Sequence, residues 1–194
     1  AYTRHKVTEN YQKRFSISFP NEERPAGRPL HTTPMYPVWK EQGAVFGQGH
    51  GLEHVNYFAR EGEPRYETPT FVRSNAFDTI GAECRNVRNN VGINEIHNFS
   101  KFIVTGTKAR EWLDGIMAGK IPDIGRLSLS PLLSPKGRII GDFTISCLGD
   151  NHFQLTASYG AQAYHQRWFE QHLPESGVEI RNISLQRIGF QIAG

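Results

Sequence analysis

Cysteine and methionine are scarce in this chain, with two of each in 194 residues. Two cysteines, Cys84 and Cys147, exclude a disulfide-stapled scaffold. Both fall on apolar faces of their elements and read as buried free thiols. Charge of one sign is also lacking. The net charge is +3 and no basic run occurs, which argues against a nucleic-acid partner. No apolar stretch is long enough to span a bilayer, so no membrane partner is expected. No secretory leader is visible, and free thiols fit a reducing compartment: the cytoplasm, or the mitochondrial matrix in a eukaryote. With 38% hydrophobic and 21% charged residues, the chain is long enough to bury a core.

Periodicity is weak in the first third. Phe15-Ser16-Ile17-Ser18-Phe19 alternates and predicts a short strand ending at Pro20. Residues 22–73 are punctuated by proline and glycine and read as an extended, loop-rich segment, with one short helix from Pro37 to Gly43. Gly47-Gln48-Gly49-His50-Gly51 lacks the strand-to-helix setting of a phosphate loop. His50 and His54 have helical metal-ligand spacing, but three glycines oppose a helix and no further ligands cluster there, so no metal site is expected.

Order strengthens from residue 74. Phe77, Ile80, Cys84, Val87 and Val91 recur at helical spacing over 74–91, a narrow seam expected to dock on a sheet. A strand follows over Ser100–Thr105, then a helix over Lys108–Ala118 with Trp112, Leu113, Ile116 and Met117 as its stripe. Phe153, Leu155 and Ala157 mark another strand. A third helix, Ala161–Leu173, carries Ala161, Tyr164, Trp168 and Phe169. Strands at 178–180 and 188–192 close the pattern. The element order is α+β with a mainly antiparallel sheet and packed helices. The ragged start and the abrupt end after a strand read as cuts from a longer polypeptide.

The most informative stretch is Ser130–Cys147. Ser134-Pro135-Lys136-Gly137 has type I turn chemistry, and Gly137 admits a bulge into the second strand. Alternation sends Ile139, Phe143, Ile145 and Cys147 one way and Ile140, Asp142, Thr144 and Ser146 the other. Aspartate is a poor strand former. Asp142 is either part of a solvated outer face or a functional carboxylate facing a cavity, with Gly141 beside it leaving room for approach.

Two blocks carry a family resemblance. Residues 22–59, with their Arg-Pro-rich start and Gly-Ala-Val-Phe-Gly step, resemble the central segment of dimethylglycine and sarcosine dehydrogenases. Residues 86–194 resemble the N-terminal part of the folate-binding, aminomethyltransferase-like domain, the T-protein fold of glycine cleavage. The matching stretches are Val91-Gly92-Ile93 to Gly106, Ser134-Pro135-Lys136-Gly137-Arg138 to Ser146, and Gly189 to Gly194. The Pro-Lys-Gly turn resembles the dimethylglycine branch, whereas sarcosine dehydrogenases resemble Arg-Gly-Gly there. The resemblance implies residues 1–73 as an interdomain segment after a missing FAD domain, and 74–194 as an incomplete folate domain.

It further implies oxidation of an N-methylglycine at FAD, bound by a region outside this chain, with the one-carbon unit passing to tetrahydrofolate. The partners are then the amine substrate, folate and the missing flavin domain, and the isolated chain is expected to be catalytically silent. Asp142 matches the second, functional acid of the family's Asp-Asp pair, and Gly141 replaces the first. Leu132, Leu133, Gly141 and Tyr159 are the expected folate wall. Leu129 stands where relatives open the strand with an aromatic ring. Two alternatives stay open: a glycine-cleavage-type aminomethyltransferase without redox chemistry, and a non-catalytic folate-fold subunit.

Overall fold

In a computed structural model that describes residues 1–194, the chain separates into two units. One comprises residues 1–96 and 188–194, the other residues 97–187.

The first unit combines a small apolar cluster, Val45, Tyr57 and Ala76, with many polar contacts. Helix α1 (Tyr2–Gln12) buries Glu9 and leaves Val7 and Tyr11 exposed. Its carboxylate at Glu9 accepts from the Ala26 amide (3.1 Å), Lys6 donates to the Arg24 carbonyl, and Tyr2 donates to Gln48 (2.9 Å). The strand expected at 15–19 is absent: Phe15 and Ile17 stay exposed and join no apolar core. Phe19 instead meets the ring of Phe71 at 4.5 Å. Helix α2 (Tyr36–Glu41) sits where the proline start and glycine stop place it.

The segment expected to be loop contains a hairpin, β1 (Ala44–Gly49) and β2 (Leu52–Phe58). Its two-residue turn is His50-Gly51, with φ of 50° and 82°, the left-handed pair that a primed turn requires. Glu53 of β2 faces inward and is buried. It pairs with Arg28, whose Nε lies 2.9 Å from Oε1; Arg28 also donates to the Phe46 carbonyl (3.0 Å) and to Glu23 (2.9 Å). The hydrogen bond to Glu53 raises the Arg28 pKa. An inward acid of this kind breaks the apolar alternation by which strands are recognised.

Helix α3 (Phe77–Asn89) forms as expected, but its packing face differs. Ala76 and Thr79 are buried, and Glu83 accepts from the Phe58 amide at 2.9 Å. The apolar seam is rotated outward, with Phe77, Ile80, Val87 and Cys84 exposed. Cys84 is therefore not the buried thiol expected, whereas Cys147 is buried. Two short strands, β3 (Gly92–Glu95) and β9 (Phe190–Ala193), pair antiparallel within this unit.

The second unit carries the main sheet and core. Its strands are β4 (Phe99–Thr105), β5 (Leu127–Leu133), β6 (Ile139–Gly149), β7 (His152–Ser158) and β8 (Glu179–Asn182), in the order β5-β6-β7-β4-β8. Every neighbouring pair is antiparallel, so the fold is α+β. One face is apolar: Phe102, Val104, Leu132, Phe143, Ile145, Cys147, Phe153 and Leu155 are all essentially inaccessible. Helices α4 (Ala109–Ile116) and α5 (Gln162–Gln171) lay Trp112, Leu113 and Phe169 into that core. On α5 the buried positions are His165 and Phe169, four apart on one face, while Tyr164 is exposed.

Gly106, at φ 120°, shows how closely this unit is drawn together. A Cβ there would lie 2.3 Å from the Gly177 carbonyl oxygen. Both the backbone angle and the contact forbid a side chain. Gly106→Ala is expected to cost at least about 1 kcal/mol, read as a lowered midpoint in thermal unfolding.

Candidate functional site

The other face of the same sheet is polar and partly open. Paired residues in an antiparallel sheet share a face. Pro131 opposes Asp142; Leu129 opposes Thr144, which opposes Thr156, which opposes Lys101. Asp142, Leu127 and Leu129 are exposed, and Leu133, Thr144 and Thr156 are half-buried. Lys101 is buried at the far side of this row and donates to the Phe99 carbonyl (2.9 Å). Ile103, next along β4, is also buried.

Asp142 stands in β6 just past the last β6–β7 pair, Thr144 with Thr156. Its carboxylate thus lies beside a stretch of β6 bonded on one edge only, next to the apolar strip of Leu129, Pro131 and Leu133 on β5. The turn preceding it is as expected from sequence. The Gly137 amide donates to the Ser134 carbonyl at 2.8 Å, and Gly137 takes φ 72°. The bulge lies further on. Leu132 opposes Gly141 and Leu133 opposes Ile139, so Ile140 is the inserted residue. The insertion reverses the alternation upstream of Gly141. Ile139 turns outward, 72% exposed, and Ile140 packs on the core, opposite to the simple alternation reading.

The expected wall residues do not gather on one face. Asp142 and Leu133 share the open face. Leu132 is completely buried in the apolar core, since consecutive strand residues point to opposite sides. Gly141 also faces the core side: a Cβ there would meet His165 Nε2 at 2.5 Å and Phe143 at 2.7 Å. The space beside Gly141 is filled by the protein itself. Tyr159 is buried in a single 3₁₀ turn, Tyr159–Ala161, rather than standing in an open loop. His50 lies in the β1–β2 turn and His54 on β2 beside the ion-paired Glu53.

His165 was not among the residues singled out from sequence. It is 2% exposed, and its Nε2 lies 3.2 Å from the Ile140 carbonyl oxygen. Burial lowers its pKa from the ordinary 6.5, and the bond to Ile140 opposes that shift. A lowered histidine pKa means that the unfolded chain takes up the proton first on acidification. His165 therefore contributes stability above pH 6.5 that is lost as pH falls through its own lower value. Urea midpoints measured between pH 7 and pH 5 are expected to fall with pH, and less so in His165→Gln.

The arrangement sets a hydrogen-bond acceptor, the exposed Asp142 carboxylate, beside the apolar surface of Leu129 and Leu133. The chain thus carries this acid on the bulged strand β6 of an antiparallel sheet. It belongs to the GCVT N-terminal domain family, whose profile matches residues 35–194. Residues 1–33 match the FAD dependent oxidoreductase central domain.

Human mitochondrial dimethylglycine dehydrogenase is 31% identical over 195 residues, covering 100% of this chain and 22% of that protein. The mouse mitochondrial pyruvate dehydrogenase phosphatase regulatory subunit is 23% identical over 200 residues, covering 100% of the chain and 23% of that protein. This chain spans between a fifth and a quarter of the length of either relative. The crystal structure of the glycine cleavage system aminomethyltransferase T from Bartonella henselae superposes with a TM-score of 0.67 at 21% identity, covering 85% of this chain and 41% of that one. That likeness establishes the T-protein fold. No helix is long and apolar enough to cross a membrane.

Proposed function

We propose that this chain supplies one wall of a tetrahydrofolate site in an FAD-dependent N-methylglycine dehydrogenase of the dimethylglycine type, acting in mitochondria or the cytoplasm. The observation that carries the proposal is Asp142: an exposed carboxylate, without an ion pair, set mid-strand on a half-apolar sheet face. The family matches add the redox half, since a central domain of FAD-dependent oxidoreductases precedes the folate-type domain in the same chain.

Tetrahydrofolate, when bound, supplies the nitrogen nucleophile that accepts the one-carbon unit, and FAD, held outside this chain, takes the electrons from the amine. The remaining work falls to this chain's residues. Leu129 and Leu133 offer apolar contact to a heteroaromatic ring and exclude water from one side. The Asp142 carboxylate accepts a hydrogen bond from a ring amine and orients it. It also places a negative charge where the incoming one-carbon unit is cationic, a field that strengthens as the site is desolvated.

The test uses the full-length protein with dimethylglycine and tetrahydrofolate. Flavin bleaching with the one-carbon unit recovered as 5,10-methylene-tetrahydrofolate is expected. A colourless protein that transfers an aminomethyl group from a lipoyl carrier would replace this reading with a glycine-cleavage-type aminomethyltransferase. A second reading, a non-catalytic subunit, is favoured by one comparison, the relative named as a regulatory subunit. It predicts neither flavin bleaching nor folate product.

A further inference from the structure

The bulge two residues before Asp142 has a clamp on its core side. Ile140, the inserted residue, has no partner in the β5 register. Its carbonyl is instead reached by His165 Nε2 at 3.2 Å. A carbonyl only accepts, so the ring carries its proton on Nε2 and donates. The same nitrogen lies 2.5 Å from where a Cβ at residue 141 would stand, and the ring packs on Phe143 with centroids 4.7 Å apart. One buried side chain therefore touches residues 140, 141 and 143, on both sides of Asp142 in sequence, from the face opposite to its carboxylate. The other ring nitrogen, Nδ1, is buried without a partner. Leaving a polar atom unpaired is costly, and that cost is tolerated here for a histidine that holds a bulge.

We propose that His165 is a positioning residue for Asp142: by donating to Ile140 and filling the space at Gly141, it fixes the bulged backbone so that the carboxylate meets the bound one-carbon acceptor. The inference rests on the role proposed for Asp142. A backbone displaced by about 1 Å at a reacting group can cost on the order of a hundredfold in rate.

The test is made in the full-length holoenzyme, with capture of the one-carbon unit by tetrahydrofolate measured apart from flavin reduction. His165→Phe keeps a ring of similar size and removes the donor. It is expected to lower capture at least about tenfold at saturating tetrahydrofolate. His165→Gln restores an N–H near the same place and is expected to stay within about threefold of the unaltered enzyme. Adding His165→Phe to Asp142→Asn is expected to cause no further loss.

If Asp142→Asn leaves capture intact, the role of Asp142 falls and this inference with it. If Asp142→Asn lowers capture but a folded His165→Phe does not, only the inference about His165 is overturned. Where His165→Phe does not fold, His165→Gln decides: retained capture supports the clamp, and a loss equal to that of Asp142→Asn overturns it. The ring nitrogen shifts of the unaltered protein give an answer that needs no variant. A neutral ring protonated at Nε2 is expected, and a ring protonated at Nδ1 contradicts the clamp.

Discussion

Asp142→Asn in the full-length enzyme is expected to lower one-carbon transfer to tetrahydrofolate by about 10²-fold, the cost of removing one preorganised group that faces developing charge. Asparagine has nearly the same shape and still accepts one hydrogen bond through its oxygen, so ligand orientation is partly kept. What it lacks is the negative charge. The loss should therefore fall on the rate of transfer more than on folate affinity. The oxidised one-carbon unit should then escape as formaldehyde, with flavin reduction proceeding. Little loss of stability is expected, because the Asp142 side chain is exposed and on the opposite face from the core. A parallel loss of transfer and of folding would point to a structural role instead.

The second large effect is in the core that carries this face. Phe169 of α5 is inaccessible to solvent, and its ring lies within 5.4 to 6.1 Å of those of Phe102, Phe143, Trp112 and Trp168. Phe169→Ala removes the shared member of this aromatic set and opens a cavity between helix and sheet. Such a truncation costs about 3–5 kcal/mol, or a fall in melting temperature of roughly 10 °C for a chain of this size. The loss should be confined to the second unit. Hydrogen exchange is expected to accelerate in β4, β6 and β7 more than in the β1–β2 hairpin. Uniform acceleration across both units would show that they unfold together.

The second unit was the legible part of the sequence. Phe143, Ile145 and Cys147, then Phe153, Leu155 and Ala157 alternate cleanly between a buried and a more open face, whereas in β4 Ile103 is buried between Phe102 and Val104. The first unit was obscure for a physical reason. Its α1 is anchored through Glu9, Lys6 and Tyr2, and its hairpin buries the Arg28–Glu53 pair. Polar anchoring leaves no hydrophobic period to read. The α3 seam misled in the opposite sense: it is periodic, yet the helix packs through Ala76, Thr79 and Glu83.

Within the candidate site, the placement of Asp142 on a polar strand face follows from period two alone. That Leu132 and Leu133 cannot share a wall follows from the same rule. The reversal of Ile139 and Ile140 could not be read, since a bulge is a backbone event that turn chemistry allows without locating. His165 was hidden because a lone histidine in an apolar helix stripe carries no signal of its own. Its spacing of four from Phe169 is the only trace in the sequence.

The most direct measurement is a crystal structure of the full-length protein with tetrahydrofolate bound. The account predicts the pterin lying along Leu129 and Leu133, with a ring or bridge nitrogen within hydrogen-bond distance of the Asp142 carboxylate. Folate bound elsewhere, with this face of β5 and β6 buried against protein, would contradict it.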